Sequence, residues 1–274
     1  MAPSRLAADF LERDGRRIFT ISHLPNAADT AKGGILLVPP FFEELNHSRY
    51  FYTQLAQRVC AAGYESLYFD YSCTGDSAGE FADAIWEHWI EDLQLAFDTL
   101  NARCSLKAIV GVRGAALTLS AWLKKTSQND FALSLVAPTM NGVEIADAML
   151  KSEILRAAFE GRKISREQFL ENIREQGHAQ MGGYRVPHKL LDAISRESFL
   201  PSRQSLPVRT SIFRIARTAG SNSATSKPQP RDVSERDQSD PLERTIQLEP
   251  FWQEGLRPDV HELVFAVCDD LLAS

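Results

Sequence analysis

Two pentapeptides in this chain compete for the same chemistry. Gly75-Asp76-Ser77-Ala78-Gly79 spells G-x-S-x-G, the pattern in which a serine between glycines attacks an acyl carbon. That attack needs a hydroxyl lifted off the end of a buried strand at a sharp turn into a helix, with backbone N–H groups facing the developing oxyanion. Ser77 lacks this setting, because a polar, glycine-punctuated loop separates it from Asp70, the last residue of the apolar run SLYFD. The setting belongs instead to Gly111-Val112-Arg113-Gly114-Ala115, where LKAIV leads in and AALTLSAWL, a helix former's composition, leads out. At the tip of that elbow stands Arg113, which cannot accept an acyl group or lose its proton near neutral pH. Serine-type acyl transfer through this position is therefore excluded.

The remaining candidates are distributed along the chain. His261 is the only histidine late enough to act as base in a Ser-His-Asp set, but it falls three residues after Pro258 inside the last helical pattern, where a surface or helix-start histidine is the simpler reading. Ser77 with His261 is the alternative catalytic pair. Asp232, Asp237 and Asp240 are equivalent choices for the acid, and a solvated loop explains all three. Cys73 is a conceivable thiol nucleophile, with no histidine nearby in sequence to activate it. Arg113, at a helix N-terminus, is the natural complement of an anion. Its expected partner is an internal carboxylate, Glu43 or Glu44, or the carboxylate or phosphate of a ligand. The two are compatible, since a guanidinium held along one edge still presents another. Phe41, Phe42, Gly114 and Trp252, with Tyr184, complete the expected ligand wall, although aromatic residues at strand ends serve as core more often than as a ligand box.

These residues need a scaffold, and the hydrophobic pattern supplies one. Residues 17–22 alternate, as a half-exposed strand does, while GILLV (34–38), SLYFD (66–70), LKAIV (106–110) and 131–137 are short apolar runs suited to buried parallel strands. Between them lie helical patterns: Phe51, Leu55 and Val59 at spacing four, closed by Gly63, and an amphipathic stretch at 81–100 with Ile85, Trp89, Leu93, Ala96, Phe97 and Leu100 on one face. Strand and helix in alternation predict a doubly wound, mostly parallel sheet. After Asn141-Gly142 the period turns helical through 143–159 and 165–176, the second opened by a capping box, Ser165-x-x-Gln168. This block, ending near Phe199, reads as a helical cap inserted at residues 142–200 of a single domain spanning 1–274. Placed at the carboxyl end of the sheet, it would cover the crevice where ligands bind. Strands are expected again at 208–215 and 245–249, separated by the low-complexity loop 219–240, and a helix at 258–272 closes the chain.

Composition narrows the function classes. With 274 residues, 44% of them hydrophobic, the chain can bury one large core. A net charge of −6 without a basic stripe argues against nucleic acid as a partner. Four cysteines in no C-x-x-C or Cys/His pattern carry neither a disulfide scaffold nor a metal site, and no cofactor motif is present. The N-terminus lacks the apolar segment of a secretory signal, and no apolar run approaches a membrane span, so a reduced cytoplasmic protein is expected.

With the strands laid out, Asp70-Tyr71-Ser72-Cys73-Thr74-Gly75-Asp76-Ser77-Ala78-Gly79 resembles the D-x-R-G-x-G-x-S-x-G loop of many α/β-hydrolases, in which the serine shapes a loop and is not the nucleophile. The segments Pro39-Pro40-Phe41-Phe42-Glu43-Glu44-Leu45-Asn46, Gly75-Asp76-Ser77, Gly111-Val112-Arg113, Gly183-Tyr184 and Pro250-Phe251-Trp252-Gln253 resemble the subgroup called exosortase A system-associated hydrolase 2. The resemblance runs from about Gly34 to the C-terminus. It implies an α/β-hydrolase fold with a helical cap, arginine in the nucleophile's place, and a bacterial setting near exopolysaccharide synthesis and PEP-CTERM protein sorting. Ala115 departs further still from the closing glycine of the elbow motif. Three functions follow as expectations: an inactive or unconventional hydrolase that binds a small anionic or acyl-bearing ligand; an ester or thioester hydrolase or acyltransferase using Ser77 with His261; or a scaffold that docks a protein from the same pathway.

Overall fold

The computed structural model describes residues 5–25, 30–126, 128–199, 206–207, 209–217, 241–253 and 258–273. Eight strands form one sheet. In chain order they are β1 (Arg5–Arg13), β2 (Arg16–Leu24), β3 (Gly34–Val38), β4 (Glu65–Phe69), β5 (Leu106–Val112), β6 (Ala132–Val136), β9 (Arg209–Ala216) and β10 (Leu242–Gln247), while β7 (His178–Met181) and β8 (Tyr184–Pro187) form a separate hairpin. The order across the sheet is β1-β2-β4-β3-β5-β6-β9-β10. From β4 to β10 every pairing is parallel, and β2 and β1 extend that edge antiparallel.

The central strands are apolar on both faces because helices cover both. Successive residues alternate between two cores: Leu36 and Val38 face Trp89, Leu93 and Phe97 of α2 (Trp86–Arg103) and Leu119 and Trp122 of α3 (Ala115–Leu123). Ile35 and Leu37 face Phe51, Leu55 and Val59 of α1 (Glu43–Ala61) and Leu263 and Val267 of α7 (His261–Leu272). Burying each such side chain contributes roughly 1.5–3 kcal/mol. Gly63 follows α1 with φ +94°, where a side chain would be strained.

Several boundaries differ from the sequence expectation. β1 is not among the expected strands: Leu6, Ala8 and Phe10 share one of its faces, but both faces stay largely exposed, and the strand pairs with β2 along its whole length. The helix expected from residue 81 is interrupted: Phe81–Asp83 form a 3-10 turn, Ala84 and Ile85 are extended, and α2 begins at Trp86. β10 begins at Leu242, three residues before the expected strand, because its parallel register against β9 starts at Leu242↔Ser211. The last helix starts at His261 rather than at Pro258. Residues 219–240 lie outside the described residues.

Between β6 and β9 the chain forms α4 (Gly142–Phe159), α5 (Arg166–Gln176), the β7–β8 hairpin and α6 (His188–Arg196). The hairpin is the departure from the all-helical block expected there. The capping box opens α5, with Ser165 Oγ accepting from Gln168 N and Gln168 Oε1 accepting from Ser165 N.

Candidate functional site

β5 turns into α3 at Arg113, whose φ of +52° is the strained, left-handed value that an elbow of this shape demands. The turn is fastened by its backbone: Arg113 N donates to Val136 O at 3.0 Å, and its carbonyl accepts from Thr139 N at 3.1 Å and Ala116 N at 3.2 Å. Gly114 has to be glycine, because a Cβ there would lie 2.8 Å from the Phe41 ring. Two further non-glycine residues with positive φ stand at neighbouring strand ends, Phe42 (+54°) after β3 and Ala137 (+44°) after β6. Backbone strain of roughly 1–3 kcal/mol per residue is thus gathered at the carboxyl ends of three adjacent strands.

The Arg113 side chain is tied on three sides. Nε donates to Glu44 Oε1 at 3.1 Å, Nη1 donates to Ala137 O at 3.1 Å, and the guanidinium carbon lies 4.9 Å from the centre of the Trp252 ring. Both members of the ion pair remain partly open, at 27% exposure for Arg113 and 30% for Glu44. Desolvation pushes the Glu44 carboxyl above the usual range, and the charge and hydrogen bond of Arg113 offset part of that rise. Glu43 turns elsewhere: it accepts the Tyr184 hydroxyl at 2.7 Å, and burial together with this carboxylate holds the Tyr184 phenol well above its ordinary value.

Over the elbow lies a pocket of about 280 Å³. Arg113, Glu44, Glu43 and Thr139 form its floor, Phe41, Phe42 and Tyr184 one wall, and Glu144, Ile145, Ala148, Met149 and Ser152 of α4 its roof. Of the expected site residues, Phe42, Glu43, Glu44, Arg113 and Tyr184 meet here. Phe41 reaches the pocket but is mostly core, 3% exposed and stacked on Trp89 at 5.3 Å. Gly114 supports that ring from below, and Trp252 touches the site through Arg113 while packing on Phe251. The α4 contributors and Thr139 were not anticipated, since nothing in a helical pattern states which face will look down onto a neighbouring turn.

The alternative catalytic pair does not assemble. Ser77 Oγ donates to Asp70 O at 2.7 Å and accepts from Phe19 N at 2.8 Å, which makes it a clip between β2 and the loop after β4. His261 opens α7 with its side chain 61% exposed, near Asp259. None of the six histidines lines the pocket over Arg113. Cys73 is half-buried, its thiol pushed up by burial and by the carboxylates around it, the opposite of an activated nucleophile. Asp232, Asp237 and Asp240 lie outside the described residues.

No protein-family model and no curated protein matches the sequence. Solved structures do match it along nearly its whole length. Est1E from Butyrivibrio proteoclasticus, with ferulic acid bound, superposes with a TM-score of 0.64 at 14% identity, covering 97% of this chain and 98% of that one. This is the α/β-hydrolase fold. Other proteins with the fold that resemble this chain are a thioesterase domain from the curacin biosynthetic pathway (TM-score 0.53, 15% identity, 98% and 99% covered) and alpha/beta hydrolase domain-containing protein 10 from mouse (0.50, 16%, 97% and 98%). Among the described residues no helix is long and apolar enough to cross a membrane.

Proposed function

We propose that this α/β-hydrolase-fold protein binds a small acyl-bearing molecule in the pocket between Arg113 and α4, and that it forms no acyl-enzyme at its elbow. The observation that carries this reading is the bound state of Arg113: the elbow position is filled by a guanidinium tied to Glu44, Ala137 O and Trp252. The group that the loop after β10 offers to the elbow is an indole, where a Ser-His-Asp mechanism needs an imidazole. α4 and the β7–β8 hairpin act as the cap over this crevice.

Phe41, Phe42, Ile145, Ala148 and Met149 supply apolar walls that suit an acyl chain. Three carboxylates, Glu43, Glu44 and Glu144, share the pocket with a single guanidinium, so an uncharged ester, thioester or amide is favoured over a free acid. An anion would have to take Arg113 from Glu44. A place in exopolysaccharide or protein-sorting metabolism is supported by the family resemblance of the Pro39–Asn46, elbow and Pro250–Gln253 segments. A scaffold role has one observation in its favour, the outward-facing Leu155 and Phe159 one turn apart on α4, 58% and 84% exposed.

A fluorophosphonate probe is expected to leave the protein unlabelled. Methyl hexanoate is expected to raise the melting temperature more than hexanoate does, and Ala148→Trp, which fills the pocket, to abolish the shift. Covalent labelling, or a shift that survives Ala148→Trp, would overturn the reading.

A further inference from the structure

A larger cavity lies beside the elbow pocket, of about 520 Å³ and well within the roughly 300–1,000 Å³ of small-molecule sites. It sits between the first turns of α1 and the loop after β4, shares the Phe42 and Tyr184 rings with the elbow pocket, and does not include Arg113. One wall is aromatic: Phe42, Phe81 and Tyr184 contact one another with ring centroids 5.6, 6.0 and 4.8 Å apart, and each ring is partly exposed. Facing them are Asn46, Arg49, Thr74 and Asp76, an amide, a guanidinium, a hydroxyl and a carboxylate.

The charges on this polar side are largely spent. Arg49 Nη2 donates to both oxygens of Asp70, at 3.0 and 2.8 Å, and Asp70 is fully buried. Asp76 N donates to the same carboxylate at 2.9 Å, and the Asp76 carboxylate lies 4.0 Å from Arg49 Nη1. The Thr74 hydroxyl donates to Tyr71 O, which leaves its lone pairs as acceptors.

We propose that this cavity is a second binding site, distinct from the elbow pocket, for a neutral hydroxylated ring of the pyranose kind. Each alternative leaves something unpaired. An alkyl chain would strip water from Asn46, Arg49, Thr74 and Asp76 and return no hydrogen bond. An anion would meet Asp76, with Glu43 close behind Asn46, and find Arg49 already held by a buried carboxylate. A cation brings donors alone and would return no acceptor to the N–H groups of Asn46 and Arg49. A ring with a C–H face and a rim of hydroxyls lays the first on the aromatic wall and gives the second both donors and acceptors.

Saturation-transfer NMR on the full chain tests this, with methyl β-D-glucopyranoside and methyl β-D-galactopyranoside as probes and inorganic phosphate and hexanoate as charged and apolar comparisons. Transfer to the ring protons of at least one glycoside is expected. Its affinity should fall about tenfold when Asn46→Ala and Asp76→Ala, both at exposed positions, are combined. Ala148→Trp, at a residue that lines the elbow pocket and not this cavity, should leave glycoside binding unchanged, and that separates this proposal from the acyl-binding one. Absence of transfer to both glycosides, displacement by phosphate or hexanoate, or an unchanged affinity in the double variant would each overturn it.

Discussion

Arg113 and Glu44 depend on each other unequally. Glu44 carries the desolvation, so its carboxyl holds a proton more tightly in the folded protein than in the unfolded chain. Between its ordinary pKa and the raised one, the folded state keeps a proton that the unfolded state has released, and stability falls as pH rises through that window. Arg113→Ser removes the charge and hydrogen bond that limit the rise, so the window widens upward. The variant should lose roughly 1–2 kcal/mol at pH 7.5, between the values of exposed and fully buried pairs, and less at pH 5. Glu44→Gln, which keeps an acceptor for Arg113 Nε without a buried anion, should lose less at pH 7.5. Urea unfolding at both pH values checks this, and an equal loss at both would mean that the pair is not what Arg113 supplies. The serine variant should also hydrolyse no simple ester, because the side chain packed on residue 113 is the Trp252 indole and no histidine lines the pocket. At Ser77 the expectation is structural: Ser77→Ala strands Phe19 N–H and Asp70 C=O and should cost about 1–3 kcal/mol, with any esterase activity unchanged. A lower melting temperature with unaltered turnover is the outcome to look for.

At the scale of elements, the parts legible in the sequence are those where local pattern and tertiary role agree. β3, β5 and β6 are buried on both faces apart from Lys107 and read as short, mostly apolar runs, and the elbow follows from the strand, the glycines and the helix that flank Arg113. A carboxylate partner for Arg113 was legible as well, because β3 neighbours β5 and must deliver its following residues to the same crevice, but the choice of Glu44 over Glu43 was not. What stayed hidden was set by contacts between distant segments. α4 turns Leu155 and Phe159 to solvent, buries Ala146, Leu150 and Glu153, whose carboxylate accepts Gly182 N at 2.9 Å, and lines the pocket with Ile145, Ala148 and Met149, so apolar residues face both core and pocket and the pattern does not single out the pocket side. β1 pairs with β2 along its whole length while staying largely exposed, and the β7–β8 hairpin is too short for its buried pair, Met181 and Val186, to announce a strand. Phe42's φ of +54° has no signal in residue type at all. Asn141-Gly142 was legible as a boundary, but its physical reason is the approach of α6. A Cβ on Gly142 would lie 1.7 Å from Ile194 O, and Gly142 N donates to Glu197 O at 2.9 Å. Gly142→Ala must therefore move backbone and should cost about 3 kcal/mol or more. A urea midpoint equal to that of the parent protein would refute this close approach.

Taken as a whole, the molecule has two sheet-facing cores and a small third one, and the third decides whether the β6–β9 connection is a separate body. That small core holds Ala146, Leu150, Ile173, Met181, Val186 and Leu191, few residues for a segment of roughly sixty, a length at which an isolated domain is already marginal. Met149, Phe169 and Leu170 pack against it, but three large side chains of the segment belong elsewhere: Leu190, Ile194 and Phe199 are at most 2% exposed and join the main core with α2 and α3. The connection should therefore melt with the sheet, in one transition. Ile194→Ala removes the side chain at this junction and, by leaving a cavity in the shared core, should cost about 2–4 kcal/mol. The loss should be felt on both sides of the junction. Hydrogen exchange is the discriminating measurement: amides of α3 and β6 should lose protection together with those of α4 and α6. Exchange that accelerates in residues 142–199 alone, or limited proteolysis that releases those residues as a stable folded fragment, would show that the cap is an independent domain and that the shared core does not bind it to the sheet.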